Sequence, residues 1–206
     1  MAIDDDVRHG LAGAWDRFAG PGQSRGEGVG TIAAVAAAAA WGDHALERGA
    51  PRHCRGLMRL AAVDLWGGVW VNNTPSCVRW YERPGQGAGE HVAFAAVHLL
   101  HAGAVGYTDA AVGNRTRGSA LRWTLAHYAW LLTTTSVIAT APRHVRLPIA
   151  LAATAVGLGL DRVLGRSVAA PWFAPVYYTK LLIGHAAGSV WTGKHHPQAI
   201  SAKKGR

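Results

Sequence analysis

Cysteine, lysine and long uninterrupted apolar runs are all scarce in this 206-residue chain. Its two cysteines, Cys54 and Cys77, stand apart without CxxC spacing, which argues against a disulfide framework and a cysteine-based zinc site. Only one apolar stretch, Trp123 to Ala141, approaches the roughly 20 residues that a helix needs to cross a bilayer. The sequence also lacks a Walker loop, a GxGxxG motif, a nucleophile elbow and catalytic-triad spacing. The enzyme classes that carry those motifs are therefore excluded.

Basic residues outnumber acidic residues by 21 to 12, and 17 of the basic residues are arginine. In a soluble protein a net charge of +9 would favour nucleic-acid binding, but no RNP, zinc-finger or helix-turn-helix pattern accompanies it. Arginines beside membrane spans instead meet anionic lipid headgroups. We therefore predict a lipid bilayer as a partner and no nucleic acid. The richness in alanine, glycine and arginine suggests a bacterial source with a GC-rich genome.

Apolar stretches separated by arginine-bearing connectors predict an all-α fold, a multi-pass integral membrane helical bundle with five or six spans. The stretches are Val29 to Trp41, Leu60 to Val71, Val92 to Tyr107, Trp123 to Ala141, Leu147 to Leu160 and Val168 to Trp191. Pro142 and Pro148 are expected to delimit the fifth. Most stretches are shorter than a bilayer core, so they must tilt, recruit connector residues or lie inside the bundle. The alternative is a soluble, alanine-rich helical protein.

The length corresponds to one domain, which divides into a polar N-terminal segment, 1–27, a membrane bundle, 28–192, and a basic tail, 193–206. The first segment is expected to be loop-like, and it has no basic n-region that would indicate a signal peptide. The tail carries Lys203, Lys204 and Arg206. The positive-inside rule therefore favours a cell-membrane protein with both termini in the cytoplasm.

A carboxylate and a pair of glycines share one face of the second predicted helix, which runs from about Leu57 to Asn72. Asp64, Gly67, Gly68 and Asn72 follow the i, i+3, i+4, i+8 spacing of such a face. The glycines leave room beside the carboxylate for another helix, a ligand or water. Because an ionisable group at membrane depth is costly and usually functional, Asp64 is a candidate catalytic residue and Asn72 a candidate substrate contact.

Three histidines follow on the next predicted helix, which starts near Glu90. His91, His98 and His101 fall on one stripe, at spacings of seven and three residues. Imidazoles with a carboxylate suit zinc or iron, and an i, i+3 pair can bind one ion from a single helix. We predict that His98 and His101 are catalytic and that all three histidines are metal ligands, with His91 about 10 Å from His98 along a straight helix. The alternative is that they bond to backbone carbonyls or to each other.

A lysine interrupts the last apolar stretch at Lys180. Because about nine apolar residues lie on either side, snorkelling is awkward, and the lysine either pairs with Asp64 or lies in an aqueous cavity. Lys180 is therefore a candidate substrate contact. Three further candidates are Arg79 and Tyr81, from the turn-prone connector 76–90, and His127, between two tryptophans.

Three functional hypotheses follow from these residues. The first is a membrane enzyme, dependent on zinc or iron, that acts on a lipid or other apolar substrate at Asp64, His98 and His101. The second is a proton-coupled transporter or carrier, in which a homo-oligomer supplies the missing helices. The third is a non-catalytic membrane subunit whose polar residues set helix packing. His195 and His196, in the basic tail, are expected to lie outside the functional site.

Overall fold

The computed structural model describes residues 7–190, and every regular element in that range is helical. In chain order these are α1 (Gly10–Ala19), α2 (Arg25–Trp41), α3 (Arg52–Val71), α4 (Pro75–Tyr81), α5 (Ala88–Ala96), α6 (Leu99–Ala111), α7 (Arg117–Thr140), α8 (Arg143–Leu164), α9 (Phe173–Tyr178) and a π-helix (Thr179–Ala186). The predicted all-α fold is therefore confirmed. The predicted basic tail, with His195 and His196, lies outside the described residues.

Helices α2 and α3 pack closely because α2 is built almost entirely of small residues. A Cβ placed on Gly30 would lie 2.2 Å from the indole of Trp70, so this glycine provides the space for that ring. Helix α2 begins with a capping box, in which the side chains of Ser24 and Glu27 each accept a backbone N–H of the other residue. The alanine run thus brings two backbones together.

The polar N-terminal segment and the turn-prone connector 76–90 were both expected to be loops, and the expectation is wrong for residues 10–19 and 76–81, which are helical. Helix α1 lies within the first, and α4 begins at the edge of the second, where Thr74 caps it and Pro75 occupies its first turn. The two short helices contact each other, since Ser76 Oγ donates to the carbonyl of Ala19. Contacts between segments far apart in sequence therefore stabilise helices that the local pattern does not indicate.

The helix predicted to start near Glu90 is divided into α5 and α6 at His98. In a continuous α-helix the His98 N–H would donate to the carbonyl of Phe94. Here that carbonyl accepts from His98 Nδ1 at 2.8 Å, while the His98 N–H donates to Ala95 at 3.0 Å. The imidazole has taken the acceptor that would have continued the helix, so the single stripe of three histidines is not formed.

Within residues 7–190, one helix is long and apolar enough to cross a membrane, judged by length and composition: α8, with a mean hydropathy of 1.6. The sequence pointed instead to Trp123–Ala141, which lies in α7 except for its last residue. Pro142 and Pro148 were expected to delimit the fifth stretch; Pro142 does precede α8, whose first residue is Arg143, but Pro148 lies inside that helix. The five or six spans remain a prediction.

The last two elements run through the centre of the bundle. All residues of the π-helix except its first, Thr179, are buried, as are Tyr177 and Tyr178 of α9. Helices α3, α7 and α8 all contact the π-helix. Its two ionisable side chains, Lys180 and His185, are therefore enclosed by the other helices.

Candidate functional site

Four ionisable side chains from different parts of the chain meet at Asp64 of α3. His101 Nε2 lies 3.0 Å from Asp64 Oδ2, and His98 Nε2 lies 3.4 Å from the same oxygen. The Lys180 ammonium contacts that oxygen too, and it lies 2.9 Å from His98 Nε2. We call these four residues the Asp64 group.

The Asp64 group is closed on one side and open on the other. The side chains of Lys180 and His98 are 2% and 3% exposed, whereas those of His101 and Asp64 are 19% and 37% exposed. A molecule at the surface can therefore reach the carboxylate and His101, with the ammonium and His98 behind them.

The pairing of Lys180 with Asp64, one of the two alternatives for this lysine, is confirmed. Removing an ammonium from water is expensive unless it is paired and hydrogen-bonded, and Lys180 has both a carboxylate and an imidazole acceptor. Gly68 supplies the space: a Cβ there would lie 2.3 Å from Lys180 Cε and 2.5 Å from Cδ. The glycine pair thus leaves room for another helix, as the face of α3 indicated.

His98 is held with one ring nitrogen pointing into the Asp64 group. A carbonyl oxygen only accepts, so the 2.8 Å contact with Phe94 places a hydrogen on His98 Nδ1. The Lys180 ammonium has no lone pair, so Nε2 accepts from it. The same bond that ends α5 therefore orients the Nε2 lone pair toward Asp64 and Lys180.

Asp64, His98 and His101 form a group that could hold a metal ion, since one ligand atom from each lies within 4.8 Å of the others. Ligands about 2.1 Å from a tetrahedral zinc ion are separated by roughly 3.4 Å, close to the two contacts measured at Asp64 Oδ2. Anchoring of Nδ1 by a carbonyl, as at His98, is also the usual support of a metal-bound histidine.

His91 does not belong to this metal-capable group, in contrast to the predicted three-histidine ligand set. Its Nδ1 lies 3.1 Å from His185 Nε2, and its Nε2 lies 3.7 Å from Glu82 Oε1. The division of the helix at His98 removes the common stripe, and His91 turns toward the α4–α5 connector. We call His91, His185 and Glu82 the His185 group.

The π-helix brings Lys180 and His185 to the same side. Its i→i+5 hydrogen bonding closes one turn in somewhat fewer than five residues, so positions five apart lie on about the same face. Phe94 separates the two side chains: its ring stacks on His185 at a centroid distance of 3.9 Å and lies 5.0 Å from the His98 ring. The Asp64 group and the His185 group are thus neighbours divided by one phenyl ring.

Three of the other predicted substrate contacts, Asn72, Tyr81 and Arg79, lie in different places. Asn72 Nδ2 donates to the backbone carbonyl of Lys180 at 3.5 Å, so it contacts the π-helix beside the Asp64 group. The Tyr81 ring packs edge-on against His185 and Phe94. Arg79 is half-buried on α4.

His127 lies in a separate, fully enclosed cluster. Its Nδ1 lies 2.7 Å from the Tyr178 hydroxyl and its Nε2 lies 3.4 Å from Asp161 Oδ1. Neither contact is shared with Asp64, and the side chain is completely buried. These contacts join α7, α8 and α9, which favours helix packing, the interpretation that a histidine between tryptophans usually supports.

Sequence reasoning missed His185, Glu82 and Phe94 as neighbours of the site. Glu82 contacts Arg143 at 3.2 Å and Arg146 at 3.6 Å, so it links the His185 group to the start of α8. The five-residue spacing between Lys180 and His185 was the available signal, but it indicates a shared face only in a π-helix.

Two surface grooves lie away from the Asp64 group. One, of about 680 Å³, is lined by Trp66, Trp70 and Pro75, and the other, of about 460 Å³, by Gly103, Tyr107 and Leu121 among others. None of the four residues of the Asp64 group lines either groove. The partly exposed side of the Asp64 group is therefore distinct from both grooves.

No protein-family model, curated protein or solved structure matches this chain.

Proposed function

We propose that this chain is a multi-pass membrane protein of the cell membrane with both termini in the cytoplasm. The distribution of apolar and polar side chains supports this proposal. Large apolar side chains are at least half exposed around the bundle, among them Ile32, Leu60, Leu100, Leu125, Leu151 and Val156. Charged and polar side chains are buried within it, among them His98, Asp109, His127, Asp161, Lys180 and His185. Lipid favours this distribution, whereas water favours its opposite.

Helix dimensions are compatible with this proposal. At about 1.5 Å per residue, α3, α7 and α8 would be about 30, 36 and 33 Å long, which matches a hydrocarbon core of about 30 Å. The apolar window of α8 is only 28% buried, whereas the core helix of a soluble protein is mostly buried. The basic residues of the C-terminal tail favour the cytoplasmic side for that end.

We further propose that Asp64, His98 and His101 bind zinc or iron, and that the protein is an enzyme acting on a lipid-soluble substrate. The observation that carries this proposal is the convergence of three ligand atoms within 4.8 Å, with one histidine oriented by a backbone carbonyl. A metal held by two imidazoles and a carboxylate retains open positions for water or substrate.

Access supports an apolar substrate. Asp64 and His101 are partly exposed, and Asp64 lies within α3 away from both of its ends, where lipid would surround a spanning helix. Asp64 lies five residues from Arg59, about 7.5 Å along α3, and Arg59 is half-exposed and paired with Asp43, which follows the end of α2. A substrate could therefore approach laterally while its polar end stays near the headgroups.

Metal content tests this function. We expect detergent-purified protein to contain about one zinc or iron per chain, and His98→Ala or His101→Ala to reduce that content at least tenfold, as loss of a ligand should. His144→Ala is the matched control, because His144 is an exposed histidine on α8 and should leave the content unchanged. Equal metal content in all three variants would reject these two histidines as ligands, and no metal in the folded parent would reject a resident metal.

The ion pair of Lys180 with Asp64 favours a second candidate, proton-coupled exchange, because paired intramembrane ionisable groups also form proton relays. For this function, vesicles containing the protein and a trapped pH indicator should show a pH-gradient-driven proton flux that Asp64→Asn abolishes. The metal enzyme predicts no such flux from the parent protein.

A further inference from the structure

The proposed metal site already contains a cation. The Lys180 ammonium contacts Asp64 Oδ2 and lies 2.9 Å from His98 Nε2, which are two of the three atoms that would bind a metal. His98 Nε2 has one lone pair, because Nδ1 carries the hydrogen that is donated to Phe94. Lys180, His98 and His101 all contact the same oxygen of Asp64. A metal and the ammonium would therefore compete for the Nε2 lone pair and would crowd each other at Asp64 Oδ2.

We propose that the Lys180 ammonium blocks the site formed by Asp64, His98 and His101, so that a divalent metal ion binds only when the ammonium has withdrawn. This inference rests on the proposed metal-binding function and specifies how that site is regulated. Two like-charged cations a few ångströms apart in a buried site repel each other strongly, since little water screens them. Occupancy by one therefore excludes the other.

The closed position of Lys180 is built into the fold. The alkyl chain lies against Gly68, where even a methyl group would collide with it. The Asn72 amide donates to the Lys180 carbonyl, and the surrounding π-helix is buried. These contacts hold the ammonium at Asp64 with no side chain between them.

A second position for the ammonium is available on the other side. Lys180 Nζ lies 5.8 Å from the centroid of the Phe94 ring, within the range of a cation–π contact. Beyond that ring, His185 Nδ1 is buried and has no hydrogen-bond partner among the described residues. Withdrawal toward Phe94 and His185 would free both metal-binding atoms without exposing the ammonium to lipid.

Zinc titration calorimetry on the detergent-purified full chain, stripped of metal, tests this inference. Lys180→Met keeps the length of the side chain and removes its charge, so we expect zinc to bind roughly 100-fold more tightly than to the parent. Lys180→Gln is a second neutral variant in case the first does not fold. Arg146→Met is the matched control: it removes a half-buried cation that pairs with Glu82, and it should leave the zinc affinity unchanged.

The outcomes separate the inference from the function on which it rests. If the parent and the neutral variants bind zinc equally, Lys180 does not block the site, although the site does bind metal. If only the neutral variants bind zinc, blocking by Lys180 is supported and a resident metal in the parent protein is rejected. If folded parent and folded neutral variants all fail to bind zinc, both ideas are overturned.

Discussion

Gly68 determines where the longest charged side chain of the core can lie. The distances of 2.3 and 2.5 Å from its would-be Cβ to Lys180 leave no space for a methyl group. Its neighbour Gly67 faces α2 instead, where a Cβ would lie 3.0 Å from Val35 Cγ2. The two glycines therefore serve different contacts, one with the π-helix and one with α2.

Gly68→Ala should destabilise the fold by about 1–3 kcal/mol, because the added methyl group overpacks the site and displaces the ammonium from Asp64. Equilibrium unfolding in detergent measures the effect. Gly103→Ala is the control: nothing lies within 4 Å of its would-be Cβ, so the better helix propensity of alanine should leave stability unchanged or raise it by up to about 1 kcal/mol.

The cause of the Gly68 effect can be isolated with a second substitution. In a Lys180→Ala background the methyl group has space, so the loss caused by Gly68→Ala should largely disappear. An unchanged loss in that background would show that Gly68 serves helix packing and not the position of Lys180.

At the scale of the elements, short helices are joined through their ends. The carboxylate of Glu27 accepts the Ser24 N–H at 2.6 Å within the capping box of α2, and its other oxygen accepts the Ser76 N–H of α4 at 3.1 Å. One side chain thus caps the starts of α2 and α4, and the contact between Glu27 and Ser76 joins residues that are 49 apart in sequence. Glu90 makes a simpler contact, with Gly87 at the start of α5.

Glu27→Ala should lower the free energy of unfolding by about 1–2 kcal/mol, because backbone donors at the starts of both helices lose their acceptor. Glu90→Ala is the matched comparison and should have a smaller effect, since it removes a single exposed cap. Thermal unfolding of the two variants in detergent measures the difference. Equal losses would mean that the bond to α4 contributes nothing to stability.

At the scale of the whole molecule, many charged and polar side chains lie inside the bundle, and many large apolar side chains lie at its surface. The ionisable side chains at the centre pair with one another across the sequence, as Asp64 and Lys180 do over 116 residues. Large apolar side chains occupy much of the outer surface. Such an arrangement is expected of a protein that is surrounded by lipid.

Carbonate extraction of membranes that contain the protein tests whether the chain is embedded in the bilayer. Because alkaline carbonate removes peripheral proteins but leaves spanning helices in the bilayer, we expect the chain in the membrane pellet. A known peripheral membrane protein in the same sample should appear in the supernatant. Release of this chain along with that protein would reject the multi-pass proposal and favour the soluble helical alternative.

The helical class and the face of α3 that carries Asp64, Gly68 and Asn72 could be predicted from sequence, because helical periodicity is a local property. The pairing of Lys180 with Asp64 could be named as one of two alternatives, because the free energy of burying a charge applies in any fold. These predictions required no knowledge of which helices are neighbours.

Tertiary structure determined the division at His98, the π-helix and the neighbours of the site. Competition of an imidazole for the Phe94 carbonyl depends on where Lys180 and Asp64 hold the ring, so the α5–α6 break is invisible in the local pattern. His91 and His185 meet across 94 residues, and nothing in either segment specifies the other. The sequence by itself determined which groups need a buried partner, whereas packing of distant helices determined which partner each one has.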